Sequence, residues 1–261
     1  MNDHTIINDK TIDRRQKILE ILYLQSQVKV NDLSKIFNVS EVTIRNDLSQ
    51  LEAKRMLIKT RGGALKSTNV GLDPNLEIKK NQNLKEKQLI GIAASKLIND
   101  GDTIILDSGT TTVEVAKNLQ RFNDLTIITN ALNIVNELIQ YPNFKVIIPG
   151  GILRRKSLSL IGHSAETTLR NYYCDKIIMG IDGIDVKYGI TTPNIEEANL
   201  NKTMIEISRE LIVVADSSKF GRRSLAFISK IDRIKTLVTD KKISDIDLKK
   251  LKEAGVHVIV V

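Results

Sequence analysis

The apolar positions change period once along the chain. From Asp13 to about Gln25, Ile18, Leu19, Ile21, Leu22 and Tyr23 recur at helical spacing, with Asp13 as the expected N-cap. Asn31 is expected to cap a short second helix with Leu33, Ile36 and Phe37 turned inward. Asn38-Val39 leaves room only for a tight turn, and Ser40 then caps a third helix, EVTIRNDLSQLEAK. Met56 to Thr60 reads as a strand and Arg61-Gly62-Gly63 as a turn. Between Ser67 and Asn83 no sustained period survives and Asp73-Pro74 signals a turn, so residues 67–83 read as a linker. Beyond it the pattern alternates. A helix from about Leu84 to Ile98 is followed by TIILD (103–107), TIIT (126–129), KVIIP (145–149), KIIMG (176–180), LIVVA (211–215), TLVTD (236–240) and VHVIVV (256–261), with helical segments between most of them. Continuous Val/Ile/Leu runs separated by helices predict a parallel or mostly parallel sheet covered on both faces. The expected architecture is α/β, with a helical domain over residues 1–66 and a larger sheet domain over 84–261.

Two short helices joined by so tight a turn are the helix-turn-helix unit. At 100° per residue, Ile44, Leu48 and Leu51 form the core stripe of the third helix. Val42, Asn46, Ser49 and Gln50 fall on the far side, flanked by Thr43 and Arg45. A solvated helix face usually carries Glu and Lys. This one carries hydrogen-bonding groups and a small apolar contact, which is what reading base edges requires. Charge sharpens the picture. The chain's formal net charge is +8, and residues 54–66, KRMLIKTRGGALK, hold five basic residues and no acid. A hairpin tipped by Arg61 beside such a helix is a wing placed to touch phosphate or minor groove. Ser40, Val42, Thr43, Arg45, Asn46, Ser49, Gln50, Lys54 and Arg61 are therefore the candidate DNA contacts, with double-stranded DNA as the partner. The plainer reading is a helical module that binds protein.

In the sheet domain the informative residues follow strand ends, where ligands bind in such sheets. Asp107-Ser108-Gly109-Thr110-Thr111-Thr112 leaves a buried strand and opens a helix. Glycine permits close backbone approach, four hydroxyls can donate, and helix amides supply positive partial charge, a combination suited to a phosphate monoester. Asn130, Gly151, Arg154, Asp182, Glu196, Lys202 and Lys219 also follow strands. Lys219 and Arg154 are candidate counter-charges for phosphate, and Asp182, Asn130 and Glu196 candidate partners of sugar hydroxyls. Each could instead be a cap or a surface ion pair. Their shared position favours one pocket.

These residues carry a family resemblance. Arg15 to Leu22, VSEVTIRNDLSQLE (39–52) and TRGGA (60–64) resemble the N-terminal domain of the DeoR family of bacterial transcription regulators. Asn46 stands where members usually carry Arg, an outward position that bears on which operator is read. LDSGTTT, ITN, PGGxxR, GIDGID, GITTPNIEEA and VADSSKFGRRS resemble the family's C-terminal sensor domain, in the family's order. The resemblance implies a winged helix-turn-helix joined to a Rossmann-like sensor similar in fold to sugar-phosphate isomerases. It further implies repression of a carbohydrate-catabolic operon, relieved by a phosphorylated sugar. Repeated half-sites favour a homodimer or homotetramer assembled through the C-terminal domain.

Other chemistries find less support. Neither a P-loop nor a dinucleotide fingerprint is present, and His4, His163 and His257 lack metal-ligand spacing, so no metal or cofactor is expected. His257 reads as a structural residue within the last strand. The lone Cys174 fits a reducing cytosol and reads as a packing residue. No apolar run reaches membrane-spanning length, so a cytoplasmic protein with no membrane partner is expected. The rival to a regulator is a sugar-phosphate isomerase-like enzyme with an accessory helix-turn-helix. Asp182 and Asp185 in GIDGID resemble the isomerase carboxylates, although Ile184 and Val186 depart from that motif. A DNA-binding module has no use in an isomerase, which favours the non-enzyme.

Overall fold

The computed structural model describes residues 11, 14–15, 17–19, 21–22, 25, 27–53, 56–66 and 73–261. The chain divides between Gln82 and Asn83 into two compact units. Asp13 and Lys54 lie outside the described residues.

In the first unit, helix α1 is seen at the described residues between 11 and 25. It is followed by β1 (Gln27–Lys29), α2 (Val30–Phe37), α3 (Glu41–Ala53), β2 (Leu57–Thr60), β3 (Gly63–Lys66) and α4 (Leu76–Asn81). Ile18 and Leu22 of α1, Leu33 of α2, and Ile44, Leu48 and Leu51 of α3 close one apolar core. Asn38 adopts the left-handed conformation (φ 49°, ψ 49°) that turns the chain between α2 and α3. Ser40 Oγ then accepts the Thr43 N–H at 3.1 Å, capping α3 as expected.

Three features differ from the sequence reading. Helix α2 begins at Val30, and Lys29 rather than Asn31 holds the N-cap position. Ile36 is 58% exposed, because at 100° per residue it lies roughly 90° away from the inner face that Val30, Leu33 and Phe37 share. The third difference is α4, inside the expected linker, where Ile78 is buried in the core of this same unit. The hairpin β2–β3 gains a third antiparallel strand, β1, giving the order β1-β3-β2. At Gly63 a Cβ would stand 1.8 Å from the Val28 carbonyl oxygen, so the second glycine of TRGGA is what lets β1 pair.

The second unit runs α5 (Leu84–Ser95), β4 (Thr103–Leu106), α6 (Thr110–Ala116), β5 (Leu125–Ile128), α7 (Leu132–Leu138) and β6 (Phe144–Ile147). The hairpin β7 (Ile152–Arg154)–β8 (Ser159–Ile161) and α8 (His163–Leu169) lead to β9 (Cys174–Gly180). Next come β10 (Gly183–Asp185), β11 (Gly189–Thr192), α9 (Ile195–Glu206) and β12 (Ser208–Val214). The chain closes with β13 (Ala226–Ser229), β14 (Ile234–Thr239), α10 (Asp245–Glu253) and β15 (His257–Val260).

All seven apolar runs become strands of one parallel sheet, ordered β15-β14-β12-β9-β4-β5-β6. Successive residues of one strand enter opposite cores. Ile104 and Leu106 pack with α5 and α6, while Ile105 packs with α8 and α9. Burying an Ile or Leu side chain contributes about 1.5–3 kcal/mol, so a sheet with two cores favours apolar residues at every position and no alternation. Cys174 is a packing residue at the start of β9, where burial pushes its thiol up to about 11. His257 is exposed on β15. The winding reverses between β4 and β9. From β4 the chain winds through β5 to β6, and from β9 it winds the other way to β15. The crevice beyond the carboxyl ends of β4 and β9 is thus the switch point at which such sheets bind ligands. The antiparallel sheet β10-β11-β13 and the β7–β8 hairpin, which the sequence reading did not anticipate, supply further walls of the unit.

Candidate functional sites

The outer face of α3 is as the helical geometry required. Val42 is 63% exposed, and Arg45, Asn46 and Gln50 are exposed beside it. Thr43 is half-buried, and its hydroxyl lies 2.9 Å from that of Ser40. Ser49 is half-buried and occupied, donating to the Arg45 carbonyl while accepting from Lys59 Nζ of β2 at 2.7 Å. Lys59, a residue the sequence reading did not single out, thereby ties the hairpin to the helix. Arg45 is held by Glu41 at 2.6 Å, an exposed pair one turn apart. Arg61 is exposed at the hairpin tip. Asp47 is buried and accepts from Arg14 Nε at 2.6 Å and Arg15 Nε at 2.7 Å, fixing α3 against α1. Its position beside the Ile44–Leu48–Leu51 stripe was the available clue.

In the second unit, Asp107 follows β4 and is buried. Burial, the Glu197 charge and the Asp182 charge push its carboxyl up to about 8, against donation from the Ser108 N–H and the Asn201 side chain. At neutral pH Asp107 is mostly protonated. Glu197 on α9 meets Arg154 Nη1 at 3.2 Å, and the Thr192 hydroxyl lies 3.4 Å from Glu197 and 3.5 Å from Asp182. Lys219 Nζ stands 3.9 Å from Asp182 Oδ1. Residues from β4, β7, β9, β11, α9 and the turn after β12 thus meet in one cluster. Here Gly180 faces the Ser108 loop at ordinary van der Waals distance, a Cβ on it lying 3.7 Å from the Ser108 carbonyl oxygen. On the neighbouring strand end Asn130 donates to the Leu160 carbonyl, while its buried Oδ1 has no hydrogen-bond partner among the described residues.

Several candidates are placed differently from expectation. Glu196 is exposed, and the adjacent Glu197 faces the cluster, because Glu197 and Asn201 share the inner face of α9 four residues apart. Lys202 is half-buried on that helix but takes part in none of the cluster's hydrogen bonds or ion pairs described here. Gly151 is exposed with φ 115°, and a Cβ there would meet the Ile161 carbonyl oxygen at 2.6 Å, so its role is to let the β7–β8 hairpin close. Thr111 and Thr112 are buried, and Thr112 spends its hydroxyl on the Gly109 carbonyl at 3.0 Å. Ser108, Gly109 and Thr110 are the half-buried members of that loop. Asp185 accepts from the Lys187 and Tyr188 N–H groups in the β10–β11 turn and pairs with Arg223 at 3.6 Å. It shares no hydrogen bond or ion pair with the cluster among the described residues.

Residues 14–69 match the DeoR-like helix-turn-helix domain, and residues 82–241 match the DeoR C-terminal sensor domain. A protein of Escherichia coli O157:H7, named for transcriptional repression of the aga operon, is 42% identical over 96% of this chain and 94% of its own length. The HTH-type transcriptional regulator GolR of Listeria innocua is 35% identical over 94% of this chain and 97% of its own. Ribose 5-phosphate isomerase A of Methanocaldococcus jannaschii superposes at a TM-score of 0.40 with 18% identity, over 53% of this chain and 55% of that one, a likeness too remote to carry chemistry.

Proposed function

Because the chain belongs to the DeoR family of helix-turn-helix transcription regulators, we propose that it represses a carbohydrate-catabolic operon and is released from its operator by a phosphorylated sugar. The observation that carries this reading is the crevice. Two cations, Lys219 and Arg154, stand among the Asp107, Asp182 and Glu197 carboxyls at a sheet switch point. Lys219 and Arg154 are the groups to neutralise a phosphate, with the Ser108 and Thr110 hydroxyls as donors. Asp182, Glu197 and the unpartnered Asn130 Oδ1 suit sugar hydroxyls. A protonated Asp107 reduces the negative charge facing a phosphate and can itself donate a hydrogen bond.

On the DNA side, Val42, Thr43, Arg45, Asn46 and Gln50 read the major groove, with Ser40 and Ser49 beside them. Arg61 and Lys54 contact the backbone or minor groove. The protein works in the cytoplasm as a homodimer or homotetramer, so that two readers engage repeated half-sites. The sugar phosphate shifts operator affinity only through its differential affinity for two domain arrangements, typically about 5–150-fold.

The test is operator binding by fluorescence anisotropy on DNA upstream of the gene and its neighbours, with a panel of hexose and aminohexose phosphates. Release by one phosphorylated sugar, and not by the free sugar, is expected. Ser108→Ala combined with Thr110→Ala should abolish that release, and an unchanged response would remove the loop from the site. The raised Asp107 beside Asp182 also fits a proton-transfer centre, as in a sugar-phosphate isomerase. Isomerisation of a sugar phosphate, lost in Asp182→Ala, would establish that second reading.

A further inference from the structure

Asn83 is the first residue of the C-terminal unit and directly follows the last residues of the DNA-reading unit. Its backbone is left-handed (φ 50°, ψ 39°), a conformation that Asn tolerates better than most residues. It occupies the N-cap position of α5, where an Asn side chain ordinarily accepts an N–H from its own helix. It makes no such bond. Its Nδ2 instead donates to Asp216 Oδ1 at 2.8 Å and to Ser218 Oγ at 3.3 Å, 133 and 135 residues away. The local cap is given up for a long-range attachment.

The attachment point leads to the crevice. Residues 217–219 form one turn of 3₁₀ helix after β12, and Lys219 in that turn stands near Asp182. Asp216 is buried, which alone would raise its pKa. The Lys219 charge, the Ser218 hydroxyl, the Lys87 charge and Asn83 outweigh burial and hold it below the usual carboxylate range. One short turn therefore contacts the cluster at Lys219 and the unit junction at Asp216 and Ser218. Nothing softer than a tight turn separates the two contacts.

We infer that Asn83 is a positioning residue that couples the crevice to the DNA reader, as a latch between the 216–219 turn and the unit junction. The inference rests on the sugar-phosphate reading above. A phosphate drawn to Lys219 competes with Asp182 and Asp216 for its ammonium and shifts the turn. Asn83 then loses its two acceptors, and the left-handed junction they hold is free to change. The contact is made and broken without Asn83 touching the sugar phosphate.

The experiment uses the full-length chain and two variants. Asn83→Gly keeps a residue at ease with positive φ but removes both hydrogen bonds. Asn83→Asp keeps the shape but sets a second carboxylate against Asp216. Operator affinity is measured with and without saturating hexose 6-phosphates and 2-amino-2-deoxyhexose 6-phosphates, with inorganic phosphate as control. Binding of the same sugar phosphates is measured directly by calorimetry. In wild type, operator affinity should fall about 5–150-fold. In both variants that ratio should collapse to below about twofold, while sugar-phosphate affinity stays within about threefold. A variant with the full wild-type ratio overturns the latch, as does a variant that loses sugar-phosphate binding itself.

Hydrogen exchange gives a second readout that needs no sugar. In Asn83→Gly, protection at Ser218 and Lys219 should fall together with that in the first turn of α5. Unchanged protection at Ser218 and Lys219 overturns the latch. Should wild type bind its operator and no sugar phosphate release it, the sugar-phosphate reading fails and the coupling with it, while exchange still reports whether Asn83 holds the 216–219 turn.

Discussion

Two aspartates, Asp47 on α3 and Asp107 after β4, are buried to the same degree, 1% and 4% exposed. Their partners have opposite signs. Asp47 lies between two arginines, and Asp107 faces two other carboxylates. Burial of a charge is costly in both places, but only Asp47 has the cations that offset it. Asp47 is thus a fastener within the reader, whereas Asp107 sits among carboxylates that, with burial, keep it protonated near neutral pH. Burial alone does not tell the two environments apart. The sign of the neighbours does.

The largest effect should come from Asp47→Asn. Removing one member of a buried pair typically costs about 3–5 kcal/mol, and the low end applies because Arg14 and Arg15 are 16% and 28% exposed. A separate early melting transition for the reader and loss of operator binding are expected, with sugar-phosphate binding intact. A single unshifted transition would show that the two arginines do not fasten α3.

Asp107→Asn should act in the opposite direction. The folded state keeps a proton that the unfolded chain has released, so stability falls as pH rises from about 4 to about 8 and levels off above that. The amide removes this slope. Its melting midpoint should exceed wild type most at pH 8 and hardly at all at pH 4. An identical pH profile for both proteins would place Asp107 in an ordinary carboxylate environment.

Next in size is a paired test one residue apart. Glu197→Gln should weaken sugar-phosphate binding about tenfold, through lost ionic hydrogen bonding with Arg154. Glu196→Gln should leave binding within about twofold, as for other surface changes. Equal effects from the two would break the assignment of the inner face of α9. In the reader, Arg61→Ala should reduce the slope of log affinity against log salt by about one, without changing which sequence is preferred. Asn46 and Gln50 substitutions should change the preference instead. The smallest effect is expected from Glu41→Gln. The Arg45 pair it breaks is exposed and contributes under about 0.5 kcal/mol, so only operator sequence preference should move.

The two regions also differed in how much the sequence disclosed. The outer face of α3 follows from helical period alone, because a helix fixes direction every 100°. The seven parallel strands were equally legible, since sheets covered on both faces need uninterrupted apolar runs. The short antiparallel strands were not. β1 has three residues and pairs only because Gly63 has no side chain, a fact about distance that spacing does not encode. Ile78 escaped notice because a helix of six residues shows too little period to stand out among polar neighbours. In the crevice, strand-end position located Asp107, Arg154, Asp182 and Lys219. Choosing between Glu196 and Glu197 required the phase of α9, which begins after a proline-containing turn, and strand ends do not set that phase. The internal bond of Thr112 was hidden for a similar reason, since a hydroxyl that could meet a ligand is chemically the same as one donating to a carbonyl of its own helix start.

Cys174 offers a practical consequence. It is the chain's single cysteine, and burial, which pushes its thiol up to about 11, keeps it in the unreactive thiol form at neutral pH. A maleimide dye or spin label should therefore pass it by. Arg61→Cys would place a reactive thiol at the exposed hairpin tip without first removing the native one. In a homo-oligomer the label would report the separation of two such tips, turning half-site spacing into a length measured in solution.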